Sequence, residues 1–196
     1  MQIYLKPGEF HCATQPTVVT TVLGSCVAAT FFHRPTGLAA ICHAMQPRCA
    51  NTGQCPGHCA TRGRFADCAI EAMGHWMIGR KVPLREIEVK LFGGAALMGN
   101  QKRVTSGTIS NSMGQLNVQA ALETLKSNGM ALKVADVGGT IGRKIIFDSG
   151  TGEVWLKRLN PSVVIDGGAL RNPNAFGLAT VCMSECGTKA ALRIAS

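Results

Sequence analysis

The spacing of apolar and polar positions changes several times along the chain, and each change marks an element. Val18-Val-Thr-Thr-Val-Leu23 and Val27-Ala-Ala-Thr30 form one β-branched apolar run broken by Gly24-Ser25. That pattern predicts a strand, a bend and a second strand. Gly37-Leu-Ala-Ala-Ile-Cys42 follows the turn Arg34-Pro-Thr-Gly37 and predicts the return strand of a hairpin. Phe65, Ala69, Ala72, Met73, Trp76 and Met77 recur at three and four, an amphipathic helix with His75 off its apolar stripe. Ile87-Glu-Val-Lys-Leu-Phe92 alternates like a half-buried strand and runs into Gly93-Gly94-Ala95. Leu116, Ala120, Leu122 and Leu125 predict a second helix within 115–128, stopped by Asn128-Gly129. Met130 to Asp136 reads as a strand, and Arg143 to Phe147 with Gly152 to Lys157 reads as a hairpin around Asp148-Ser-Gly-Thr.

The expected architecture is α/β, a mixed β-sheet sandwich with flanking helices. One domain is expected over 1–159, carrying a Cys-, Gly- and Pro-containing insert at about 48–64. From Asn160 onward Pro161, Gly167-Gly168 and Asn172-Pro173-Asn174 disrupt any period, so 160–196 is expected to be an irregular extension.

Composition narrows the classes. A hydrophobic share of 46% with 16% charged residues fits a folded globular chain and argues against global disorder. No apolar stretch is long enough for a transmembrane helix, and the first residues lack the pattern of a signal peptide. A cytoplasmic setting is therefore expected, with the nine cysteines reduced. The net charge of +9 favours anionic partners, but the Lys and Arg residues are scattered. One Tyr and two Trp are too few for a base-stacking platform, so nucleic acid fits less well than an acidic protein surface. Neither a dinucleotide-binding glycine pattern nor a phosphate loop is present.

The candidate chemistry is a thiol and an imidazole. Cys26 sits where the backbone bends at Gly24-Ser25, and His43 ends the second apolar segment. Neighbouring strands would bring the two together, as Cys/His nucleophilic catalysis requires. A buried apolar cysteine beside an unrelated histidine has the same spacing.

Four blocks taken in order add to this reading: Thr20-Thr-Val-Leu-Gly-Ser-Cys26-Val, then His43, then Phe92-Gly-Gly-Ala95, then Asp136-Val-Gly-Gly-Thr-Ile-Gly-Arg-Lys144-Ile-Ile-Phe147. Together they resemble CheD, the chemoreceptor glutamine deamidase family of bacterial chemotaxis, over roughly Gly8 to Leu159. The resemblance implies a protein-glutamine amidohydrolase that converts receptor Gln to Glu through a thioester. It implies Cys26 as nucleophile, His43 as its partner, and Thr20, six positions before the cysteine, as third residue. Gly24 and Ser25 would supply backbone donors for an oxyanion. Implied partners are methyl-accepting chemoreceptors as substrate and a CheC-type phosphatase, with neither nucleic acid nor membrane insertion. A non-catalytic module that binds CheC or receptors is the alternative from another class.

Two features depart from the family pattern. A block the family carries as Ile-Gly-x-Arg-Asn reads here Met113-Gly-Gln-Leu-Asn117, so Leu116 stands where Arg is expected. The second is the extra cysteines, Cys55-Pro-Gly-His-Cys59 and Cys182-Met-Ser-Glu-Cys186, which share a three-residue gap. Cys55, Cys59, Cys182 and Cys186 would make a tetrahedral zinc site, with His58 or Cys49 able to replace one ligand. Separate reduced thiols, or a redox-responsive disulfide, account for the same residues. No cofactor is expected beyond that structural zinc. Cys12, Cys42 and Cys68 lie in apolar or helical contexts and read as packing residues.

Overall fold

The computed structural model describes residues 1–50, 59–96 and 112–159, together with the backbone of 179–181. Among the described residues, ten strands make two mixed five-stranded sheets. One sheet has the order β1 (Gln2–Tyr4), β3 (Val18–Leu23), β8 (Arg143–Asp148), β9 (Val154–Arg158), β10 (Ala179–Val181). The other has the order β2 (Phe10–Ala13), β5 (Leu38–Cys42), β4 (Val27–His33), β6 (Glu88–Gly93), β7 (Leu132–Val137). The β1–β3 and β6–β7 pairs are parallel and the others antiparallel. This is the expected α/β sandwich.

The second sheet is the middle layer. In β4, Val27, Ala29 and Phe31 face helices α1 (Ala66–Ile78) and α2 (Met113–Ser127), whereas Ala28 and Phe32 face the first sheet. Because successive side chains point to opposite faces, one strand serves both cores. All seven residues of β4 are buried. The same position explains why β6 is buried on both faces instead of half-buried. Even Lys90 lies inside; its Nζ donates to the Gly152 carbonyl at 2.7 Å and pairs with Glu88 at 3.1 Å.

The predicted helices and hairpins form close to their expected limits. His75 is exposed, as expected. In α2 the inward face differs from the expected stripe: Gly114, Asn117, Ala120, Ala121, Thr124 and Leu125 are buried, and Leu122 is exposed. Beyond Leu159, β10 adds three residues to the edge of the first sheet against β9.

Candidate active site

The bend that carries Cys26 is braced by two glycine-rich connections. The Gly94 N–H donates to the Cys26 carbonyl and the Ala95 N–H to the Gly24 carbonyl, both at 2.8 Å. The Gly138 N–H in turn reaches the Gly93 carbonyl at 2.8 Å. Gly93 has a φ of 108°, and a Cβ there would overlap the Cys26 carbonyl oxygen, so only glycine allows this approach. The second connection is locked from within: buried Arg143 donates to Asp136 Oδ1 at 2.6 Å and to the Gly138 carbonyl. The motif Asp136-x-Gly-Gly-x-x-Gly-Arg143 is thus a scaffold under the bend.

Cys26 and His43 lie on one face of the middle sheet. Val27 and Ala44 are directly opposed, exchanging backbone hydrogen bonds of 2.9 and 2.8 Å. Cys26 precedes the first and His43 the second, which makes them diagonal neighbours whose backbones are about 7–8 Å apart and whose side chains share a side. That side faces the first sheet, where half-buried Cys26 packs against the interlayer core.

From the opposite sheet Thr21 completes the arrangement. Its Oγ1 donates to the Leu5 carbonyl at 2.8 Å and lies 2.7 Å from His43 Nδ1. A hydroxyl has one proton; with that proton on Leu5, Oγ1 accepts from Nδ1–H. The neutral imidazole then carries its lone pair on Nε2, which is buried and has no hydrogen-bond partner among the described residues. Burial lowers the His43 pKa below 6.5, opposed by the Leu5 carbonyl and Glu9. Burial likewise raises the Cys26 thiol above 9.0, opposed by its own backbone N–H. Both shifts favour the neutral thiol–imidazole pair at rest.

The hydroxyl at the imidazole is therefore that of Thr21, and the expectation of Thr20 is corrected. Thr21 shares the inward face of β3 with Val19 and Leu23, so its neighbour Thr20 faces the other way. A period-two count groups Thr21 with Val19 and Leu23 but equally Thr20 with Val18 and Val22, so only the packing of β3 chooses between them.

Residues 50–158 match the family model described as CheD chemotactic sensory transduction. A Geobacter sulfurreducens protein named probable chemoreceptor glutamine deamidase CheD 2 is 45% identical over 159 residues, covering 81% of this chain and 90% of its own length. Probable chemoreceptor glutamine deamidases CheD from Oleidesulfovibrio alaskensis and Maridesulfovibrio salexigens are 41% and 37% identical, each over 81% of this chain and over 73% and 92% of their own lengths.

The chain belongs to the CheD family.

The CheD family match contains the bracing glycines, α2 and the Asp136–Arg143 scaffold; Cys26, Thr21 and His43 precede its first residue. Of the expected site residues, the fold brings Cys26, His43, Gly24 and Ser25 together and leaves Thr20 apart. Of the expected zinc ligands, Cys55, Cys182 and Cys186 lie outside the described residues, as does His58. Cys59 is described, with its Sγ 3.1 Å from Thr61 Oγ1. Cys49 and Cys68 are half-buried at the start of α1, where their backbone N–H groups donate to Asp67. Buried Asn117, which the periodicity does not single out, joins the site from α2 through the backbone beside Cys26.

Proposed function

We propose that this chain hydrolyses glutamine side-chain amides of methyl-accepting chemoreceptors to glutamate, with Cys26 as nucleophile. The observation that carries the reading is the Leu5–Thr21–His43 hydrogen-bond chain, which leaves Nε2 as the free basic nitrogen of a histidine on the same sheet face as Cys26. The names of the CheD relatives supply the substrate class.

In the first half-reaction His43 Nε2 takes the thiol proton as sulfur attacks the amide carbon. The carbonyl oxygen becomes an oxyanion, for which the reading takes the backbone N–H groups of the Gly24-Ser25-Cys26 bend as donors. As the carbon–nitrogen bond breaks, imidazolium returns the proton to nitrogen and ammonia leaves, giving a thioester. In the second half-reaction His43 deprotonates a water that attacks the thioester, releasing Glu and regenerating the thiol. Thr21 holds the tautomer throughout, the role a carboxylate or amide plays in other triads. The reading carries with it a cytoplasmic site of action and regulation by a CheC-type phosphatase.

Mass spectrometry of receptor incubated with wild type and with Cys26→Ala tests the proposal. Wild type is expected to add about one dalton per modified Gln and the variant none; equal conversion by both excludes Cys26 as nucleophile.

A further inference from the structure

Asn117 is fully buried on α2, a polar residue on a face whose other buried members, Thr124 apart, are Gly, Ala and Leu. Its Nδ2 donates to the Ser25 carbonyl at 2.9 Å and to the Met45 carbonyl at 3.0 Å. Ser25 is the residue before Cys26, and Met45 is two residues after His43. One amide group therefore uses both of its protons to tie the nucleophile's bend to the strand end that carries the imidazole.

The helix that delivers this amide is seated against the same bend. Ser112 and Gln115 form a reciprocal capping box that fixes the first turn of α2. Gly114 abuts Gly94, where a Cβ on either residue would strike the other's backbone. Gly94 in turn donates to the Cys26 carbonyl. Asn117 thus enters from a rigid element over a short path, as a positioned site requires. Its Oδ1 is buried without a hydrogen-bond partner among the described residues. Two backbone carbonyls thus gain donors while one acceptor stays unsatisfied, so the polarity of the amide is spent on the link between the two segments.

We propose that Asn117 is a positioning residue for the Cys26–His43 pair, its carboxamide clamping Ser25 and Met45 so that the segments bearing thiol and imidazole keep a fixed relative position. The inference rests on the assignment of Cys26 and His43 made above. It gives Asn117 no contact with substrate.

The test follows carboxamidomethylation of Cys26 by iodoacetamide, read peptide by peptide across the neutral pH range. Wild type is compared with His43→Ala, Asn117→Leu and Asn117→Ser, the last retaining one donor. In the His43→Ala protein Cys26 is expected to lose the imidazole-assisted component near neutrality. In Asn117→Leu the rate at neutral pH is expected to fall about ten- to a hundredfold, with the profile moving toward that of His43→Ala and Asn117→Ser lying between. Buried Cys42 is the internal reference. A purely structural Asn117 would loosen the fold and speed alkylation at Cys42 and Cys26 together, which overturns the inference. So does a His43→Ala effect that neither Asn117 variant reproduces. Where Asn117→Leu does not stay folded, Asn117→Ser decides alone by the same criterion. If His43→Ala leaves the Cys26 profile unchanged, the assignment of the pair itself fails and the inference falls with it.

Discussion

Thr21 Oγ1 lies 2.7 Å from His43 Nδ1, across the space between the two sheets. This single hydrogen bond joins a strand near the amino terminus to the imidazole and selects which ring nitrogen is free. It is expected to matter more than any other hydroxyl on β3.

Thr21→Val keeps the shape of the strand residue but removes the acceptor for Nδ1–H. The cost is that of an unpaired buried donor, about 1–3 kcal/mol, which at the transition state is roughly a five- to hundredfold loss of deamidation. Thr20→Val, on the outward face, is expected to stay within about twofold of wild type. Initial rates of receptor glutamate formation by the two variants check this; equal losses in both would remove Thr21 from the site.

The pH dependence follows from the opposed shifts of the pair. The proposed mechanism requires a neutral His43 and an available Cys26 proton. It is expected to fall on the acid side at a pH below 6.5 and on the alkaline side at a pH above 9.0. Folding stability carries a related signature. Unfolded histidine binds a proton near 6.5 and folded His43 only at lower pH, so stability is lost as pH falls below 6.5. Urea melts of wild type and His43→Gln across this range measure it, with a shallower acid decline expected for the variant.

Gly93→Ala and Gly139→Ala separate a close approach from a backbone preference. Gly139 has a φ of 71° and open space where a Cβ would stand, so alanine there carries only the left-handed penalty of about 1–2 kcal/mol. Gly93→Ala adds a collision with the Cys26 carbonyl. It is expected to lower the urea midpoint further and to reduce deamidation disproportionately, because the backbone of the proposed nucleophile must move. Denaturation curves paired with activity of the folded fraction distinguish the two.

Asp136→Ala is expected to destabilise the scaffold by about 2–4 kcal/mol, since it strips the counter-charge from buried Arg143. Burial already depresses the Arg143 pKa, and Asp136 is the group that opposes the shift. The loss is at the lower end because Arg143 also donates to backbone carbonyls, at Asp136 and Gly138. Lys133→Ala is expected to stay within about 1 kcal/mol, because its bridge to Glu88 starts from an exposed lysine. Thermal melts of both proteins test the contrast.

Residue order alone determined the hairpin that carries Cys26 and His43, both helices and the α/β class, because period two, period 3.6 and glycine breaks are local properties of the chain. It also determined that Cys26, of nine cysteines, sits on a glycine-serine bend. Three things were decided only by tertiary structure. Thr21 replaced Thr20 because the sandwich gives an inside and an outside to β3, and a residue number counted back from the cysteine carries no such side. Lys90 became buried because β6 lies in the middle layer, where alternation no longer separates core from solvent. Asn117 entered the site because α2 docks its first turns on Gly94 and the Cys26 bend. That contact joins residues 92 positions apart, and no period within the helix records it.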